Sequence, residues 1–127
     1  MKAPRILVVE DNPKNLKLIR DVLQYWGYQV MVATSGEAGV ELATEEPPDL
    51  VLMDLQLPGI DGHEALRRLR QEPTTRALPV VAVTAFAMQD DRDRVALAGF
   101  DGFLAKPLSV RDLPDQVNGF LQPGASS

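Results

Sequence analysis

The chain has 127 residues, no cysteine and a formal net charge of −5. That length suits one domain with a core large enough to need no staples. The lack of cysteine excludes a disulfide framework and thiolate chemistry, and the acidic balance argues against general nucleic-acid binding, which relies on Lys and Arg to neutralise phosphates.

The first apolar run, residues 6–9, predicts a strand that ends at Glu10-Asp11. Asn12-Pro13 then opens a helix: an N-cap side chain is followed by a proline whose missing N–H costs nothing there. Leu16, Ile19, Leu23 and Trp26 share one face of it, so Trp26 is expected in the core, and Gly27 closes the helix. A second strand, Gln29–Ala33, ends at Thr34-Ser35, and Ser35 can cap a second helix. Residues 50–53 predict a third strand with Asp54 at its end. Asp61 can cap a third helix with Ala65, Leu66 and Leu69 on its inner face. The single histidine, His63, is expected on that helix's surface.

Residues 80–83 predict a fourth strand that ends at Thr84-Ala85. A charge run, Asp90-Asp91-Arg92-Asp93-Arg94, lies on a fourth helix. Gly102–Ala105 predicts a fifth strand that ends at Lys106-Pro107. Val117, Phe120 and Leu121 mark a fifth helix. Pro114 falls inside that last pattern and would break a helix begun at Val110. The helix is therefore expected to be capped by Asp112 or Leu113 and to begin beside Pro114, a mild kink being the other option. Residues 1–121 read as the domain and residues 122–127 as a tail. The apolar runs are far too short to span a bilayer, and no signal-peptide core is visible, so a cytoplasmic protein without membrane contact is expected.

The first, third and fourth apolar runs do not alternate with polar residues, which suits strands buried on both faces. Strict alternation of strand and helix implies an open parallel sheet with helices on both sides. In such sheets ligands bind outside the carboxyl ends of the strands. Glu10 and Asp11, Asp54, Thr84 and Lys106 all fall there. Three crowded carboxylates raise one another's pKa unless a cation relieves them. A hard divalent ion such as Mg²⁺ fits oxygen ligands of this kind. Lys106 and Thr84 could stabilise an oxyanion beside it, and a carboxylate can act as a nucleophile toward phosphorus.

These motifs resemble those of the receiver domains of two-component response regulators, CheY-like proteins and especially stand-alone regulators of the DivK type. The matching stretches are Ile6-Leu7-Val8-Val9-Glu10-Asp11-Asn12, Pro48-Asp49-Leu50-Val51-Leu52-Met53-Asp54-Leu55-Gln56-Leu57-Pro58-Gly59, Pro79-Val80-Val81-Ala82-Val83-Thr84-Ala85 and Phe103-Leu104-Ala105-Lys106-Pro107-Leu108. Each is weak alone; all four in order are specific. The resemblance implies a flavodoxin-like (βα)5 fold with strand order 2-1-3-4-5. It implies that Asp54 is phosphorylated by a histidine kinase or phosphotransfer protein. Mg²⁺ would be held by Glu10, Asp11, Asp54 and the backbone carbonyl of Gln56, and Thr84 and Lys106 would bind phosphoryl oxygens. The Lys106–Pro107 peptide would be cis. Thr84 and Phe103 would form the switch, changing the face made by the fourth helix, fifth strand and fifth helix, where a downstream protein docks. The charge run at residues 90–94 lies on that face, and a solvated surface is its other reading.

Phe103 stands where a tyrosine is the other common choice, so no hydroxyl is offered to a partner. Gln56 and Phe86 occupy positions that tune hydrolysis of the aspartyl phosphate in the family, and a bulky Phe86 predicts slow self-dephosphorylation. The chain is expected to signal and not to turn over substrates as an enzyme. A haloacid-dehalogenase-type phosphatase would need an acid where Gln56 stands. A flavodoxin-like electron carrier would not place Glu10-Asp11 against its phosphate. Neither glycine pattern of Rossmann or P-loop nucleotide binders is present, and a pseudo-receiver would have lost acids or the lysine. The opening methionine and short tail favour a stand-alone regulator; a receiver excised from a hybrid histidine kinase or multidomain regulator is the alternative.

Overall fold

A computed structural model describes residues 3–86 and 88–121. Strands and helices alternate as β1 (Arg5–Val9), α1 (Pro13–Tyr25), β2 (Gln29–Ala33), α2 (Gly36–Glu45), β3 (Leu50–Asp54), α3 (Gly62–Gln71), β4 (Val80–Thr84), α4 (Gln89–Ala98), β5 (Gly102–Ala105) and α5 (Leu113–Leu121). All strand pairings are parallel, in the order β2-β1-β3-β4-β5. This is the flavodoxin-like order expected, and the strand order reverses at β1 and β3.

The unbroken aliphatic strands have a physical cause in the layers around them. Leu7, Val9, Val51, Met53, Val80 and Ala82 point to one side of the sheet, where Ala43, Ala65, Leu66, Leu69 and Val95 of α2, α3 and α4 cover them. Ile6, Val8, Leu50, Leu52, Val81 and Val83 point to the other side, against Ile19, Leu23, Leu113 and Val117 of α1 and α5. Each fully buried Val, Leu, Ile or Met side chain among these stabilises the fold by roughly 1.5–3 kcal/mol relative to exposure.

The helix starts follow their caps. Asn12 accepts from Lys14 N and Asn15 N, Ser35 Oγ from Ala38 N, and Asp61 Oδ1 from Glu64 N. Gly27 adopts φ +94° directly after α1, the left-handed conformation that ends a helix. Pro114 falls at the second position of α5, between the Leu113 N–H bond to Ser109 O and the Gln116 N–H bond to Asp112 O. A proline there loses no bond, so the helix begins beside it as expected.

Trp26 departs from the sequence reading. It is the C-cap of α1 and is 61% exposed, set edge-on against the still more exposed Tyr25 ring. The buried face of α1 ends one turn earlier, at Leu23, although Trp26 N–H still bonds Val22 O and Leu23 O before Gly27 turns the chain. His63 is exposed, as expected, with its ring edge-on to Phe100. The tail read into residues 122–127 lies outside the described residues. No helix among the described residues is long and apolar enough to cross a membrane.

Candidate functional site

The carboxyl ends of the strands are locked to one another by backbone bonds that continue the ladders. Glu10 N–H donates to Ala33 O at 3.0 Å, Leu55 N–H to Val83 O at 3.1 Å, and Lys106 N–H to Thr84 O at 2.8 Å. The side chains of Glu10, Asp54 and Lys106 therefore project from a rigid rim at the point where strand order reverses. Glu10, Asp54 and Thr84 are buried, and Asp11 is exposed.

Lys106 Nζ lies 3.0 Å from Asp54 Oδ2 and 3.0 Å from Glu10 Oε1. The first contact is a hydrogen bond. The second is a close ion pair, so the one ammonium is shared between two buried carboxylates and Glu10 Oε1 has no partner besides it. Each remaining carboxylate oxygen takes a backbone donor: Glu10 Oε2 from Asn12 N–H at 3.2 Å and Asp54 Oδ1 from Gln56 N–H at 2.9 Å. Burial, and then the adjoining Asp54 carboxylate, push the Glu10 pKa up against the pull of Lys106 and Asn12. Burial works against a charged Lys106, but the two carboxylates outweigh it and hold its pKa above the usual lysine range.

Glu10, Asp11 and Asp54 each offer one carboxylate oxygen, and these lie within 4.8 Å of one another. Three hard oxygen donors, crowded together with one ammonium shared between two of the carboxylates, fit a divalent cation such as Mg²⁺. Thr84 ends β4 on the same rim, and its Oγ1 accepts the Phe86 N–H at 3.0 Å. The Lys106–Pro107 bond is cis.

One further residue fixes how closely α3 approaches the end of β3. The start of α3 presses on the end of β3, where Gly62 N–H donates to Leu55 O at 3.2 Å. A Cβ on Gly62 would stand 2.7 Å from Asp54 O and 2.9 Å from Leu55 Cα. Only glycine permits that approach.

The response regulator receiver domain model matches residues 6–118. The chain belongs to that family. As a receiver of two-component systems it works with histidine kinases or phosphotransfer proteins. The polar-differentiation response regulator DivK of Brucella ovis is 40% identical over 116 residues, which is 91% of this chain and 94% of the relative. The receiver domain of a sensor histidine kinase from Pseudomonas aeruginosa is 37% identical, with a TM-score of 0.85 over 98% of this chain and 99% of that one, and its structure holds a magnesium ion in the active-site cleft. A chemotaxis response regulator of Vibrio cholerae shares the fold, with a TM-score of 0.89 over 94% of this receiver and 99% of that chain at 21% identity.

The rim brings Glu10, Asp11, Asp54 and Lys106 together as the sequence reading expected. Phe103 stands apart from them, half-buried on β5 against the α2–α3–α4 side of the core. Sequence reasoning missed its neighbour: the Arg92 guanidinium lies 5.3 Å from the Phe103 ring centroid. The charge run at residues 90–94 concealed it, since nothing in that run distinguishes Arg92 from Arg94. Phe86, expected as a shield, is 58% exposed and lines a cleft with Thr84.

Proposed function

We propose that this receiver accepts a phosphoryl group on the Asp54 carboxylate from a phosphohistidine of a histidine kinase or phosphotransfer protein, and signals through protein–protein contacts. The observation that carries this reading is the buried Asp54 side chain, held between the Gln56 N–H and the Lys106 ammonium at the rim of the switch point.

In the transfer, an Asp54 oxygen forms a bond to phosphorus as the P–N bond to the donor imidazole breaks, and the leaving nitrogen takes up a proton. Lys106 neutralises the attacking carboxylate beforehand and is placed to follow the charge onto the phosphoryl oxygens. Glu10, Asp11, Asp54 and the backbone carbonyl of Gln56 would hold Mg²⁺, whose positive charge would stabilise those oxygens. The Thr84 hydroxyl would leave the Phe86 N–H to donate to a phosphoryl oxygen. Phe103 would then turn toward the space beside Thr84 and alter the α4–β5–α5 face that a downstream protein contacts.

Incubation with a small phosphodonor and Mg²⁺ tests the reading. Intact mass should rise by one phosphoryl group in the wild type and stay unchanged in Asp54→Asn. Equal labelling of both proteins, or of neither, would overturn it.

A further inference from the structure

We infer that Arg92 is a positioning residue for the switch, holding the Phe103 ring at its outward station on β5. This rests on the reading of Phe103 as the switch aromatic. The guanidinium sits over the ring face at 5.3 Å, within the range where a cation is drawn to an aromatic quadrupole. The ring is half-buried, so its outer face is free to take such a partner.

Two neighbouring features give the contact a mechanical consequence. On the same side of the sheet, a cleft of about 160 Å³ opens beside Thr84, lined by Leu55, His63, Phe86 and Val95 and by the Asp91–Arg94 pair. Register places Phe103 on that side, since it pairs with Ala82 of β4 and packs with it in the same core layer. The ring thus has an outer station under Arg92, where both line one groove, while the volume beside Thr84 lies in the same layer and is not lined by the ring. The second feature is α4 itself, in which Val95 is the one buried residue. A helix anchored so lightly depends on rim contacts such as Arg92–Phe103 for its seating on β5. Arg94, two residues on, turns instead to Asp91 at 3.6 Å. Among the described residues, the Phe103 ring is the one side-chain partner of Arg92.

An outward station held this way opposes phosphorylation by whatever the contact contributes, because only differential interaction with two states shifts their balance. An exposed cation–π contact corresponds to about a two- to fivefold change in the ratio of outward to inward rings.

The test is NMR on unphosphorylated protein with labelled phenylalanine, measuring cross-relaxation between the Phe103 ring and the methyls of Thr84 and Val95. In Arg92→Gln it should increase about two- to fivefold, and phosphorylation by a small phosphodonor should quicken by a similar factor. Arg111→Gln, which removes an equal charge from an exposed residue outside that cleft, should match the wild type in both measurements. Cross-relaxation unchanged in Arg92→Gln, or raised equally in Arg111→Gln, would overturn the assignment. The ring measurement needs no phosphate, so failure of Asp54 to accept one leaves it intact and is read separately.

Discussion

The Lys106 ammonium and the Asp54 carboxylate meet at 3.0 Å although 52 residues separate them. Their hydrogen bond closes the rim across β3, β4 and β5. The ammonium gains from two carboxylates, so its folded pKa is raised. A raised lysine pKa contributes stability that is fully present below the unfolded value, about 10.4, and is lost as pH rises through the folded value. Lys106→Met should therefore be less stable than wild type at neutral pH. The gap should narrow in strongly alkaline solution, measured by urea denaturation at stepped pH.

Glu10 carries the opposite consequence for the metal-free protein. Its raised pKa means that ionised Glu10 weakens the fold as pH climbs above 4.5. Glu10→Gln should then melt higher than wild type in chelator at pH 7. Mg²⁺ should raise the melting temperature of wild type and have little effect on Glu10→Gln or Asp11→Asn. Thermal melts with and without Mg²⁺ check both signs.

Gly62→Ala tests the approach of α3 to the end of β3. A methyl group 2.7 Å from the Asp54 carbonyl forces backbone to move. Overpacking of this kind costs about 1–3 kcal/mol. Equilibrium unfolding should register that loss, and phosphorylation of Asp54 should slow because the strand end that carries it has shifted.

Arg70 separates stability from chemistry. Its guanidinium donates to Leu78 O at 2.7 Å, to Arg76 O at 3.1 Å and to Asp101 Oδ2 at 3.0 Å, and Asp101 Oδ2 also accepts the Val80 N–H at 2.8 Å. These bonds tie the end of α3 to the starts of β4 and β5, at the edge of the sheet remote from the rim. Arg70→Met should cost about 1.5–3 kcal/mol, the range for hydrogen bonds to a charged group. Phosphorylation at a temperature where the variant remains folded should proceed at the wild-type rate.

Trp26 makes a spectroscopic prediction. It caps the far end of α1, whose 13 residues place it about 20 Å from the rim where the helix begins. Because it is the single tryptophan, intrinsic fluorescence should stay unchanged on adding Mg²⁺ or on phosphorylation. Quenching that follows Mg²⁺ occupancy would contradict the placement of the site.

Much of the fold was readable from local pattern. The aliphatic runs of β1, β3 and β4 announced strands covered on both faces, and Asn12, Ser35 and Asp61 announced the starts of three helices. Those signals are local because a cap or a buried strand imposes its chemistry within a few residues. Trp26 was misread for the same reason. Helical spacing places a residue on a face, but whether the last turn of that face still meets the core depends on what packs against it, and the buried face of α1 ends at Leu23. Arg92 escaped because its partner lies on another strand.

The sequence by itself determined the order of elements and the residue types at the strand ends, since both follow from patterns a few residues long. Only the tertiary structure decided that Lys106 meets both Glu10 and Asp54, that Asp11 joins those two carboxylates, and that Arg92 covers Phe103. Those distances depend on the register of parallel strands that are far apart in the chain. Register is set by packing both faces of the sheet against α1 and α5 on one side and α2, α3 and α4 on the other.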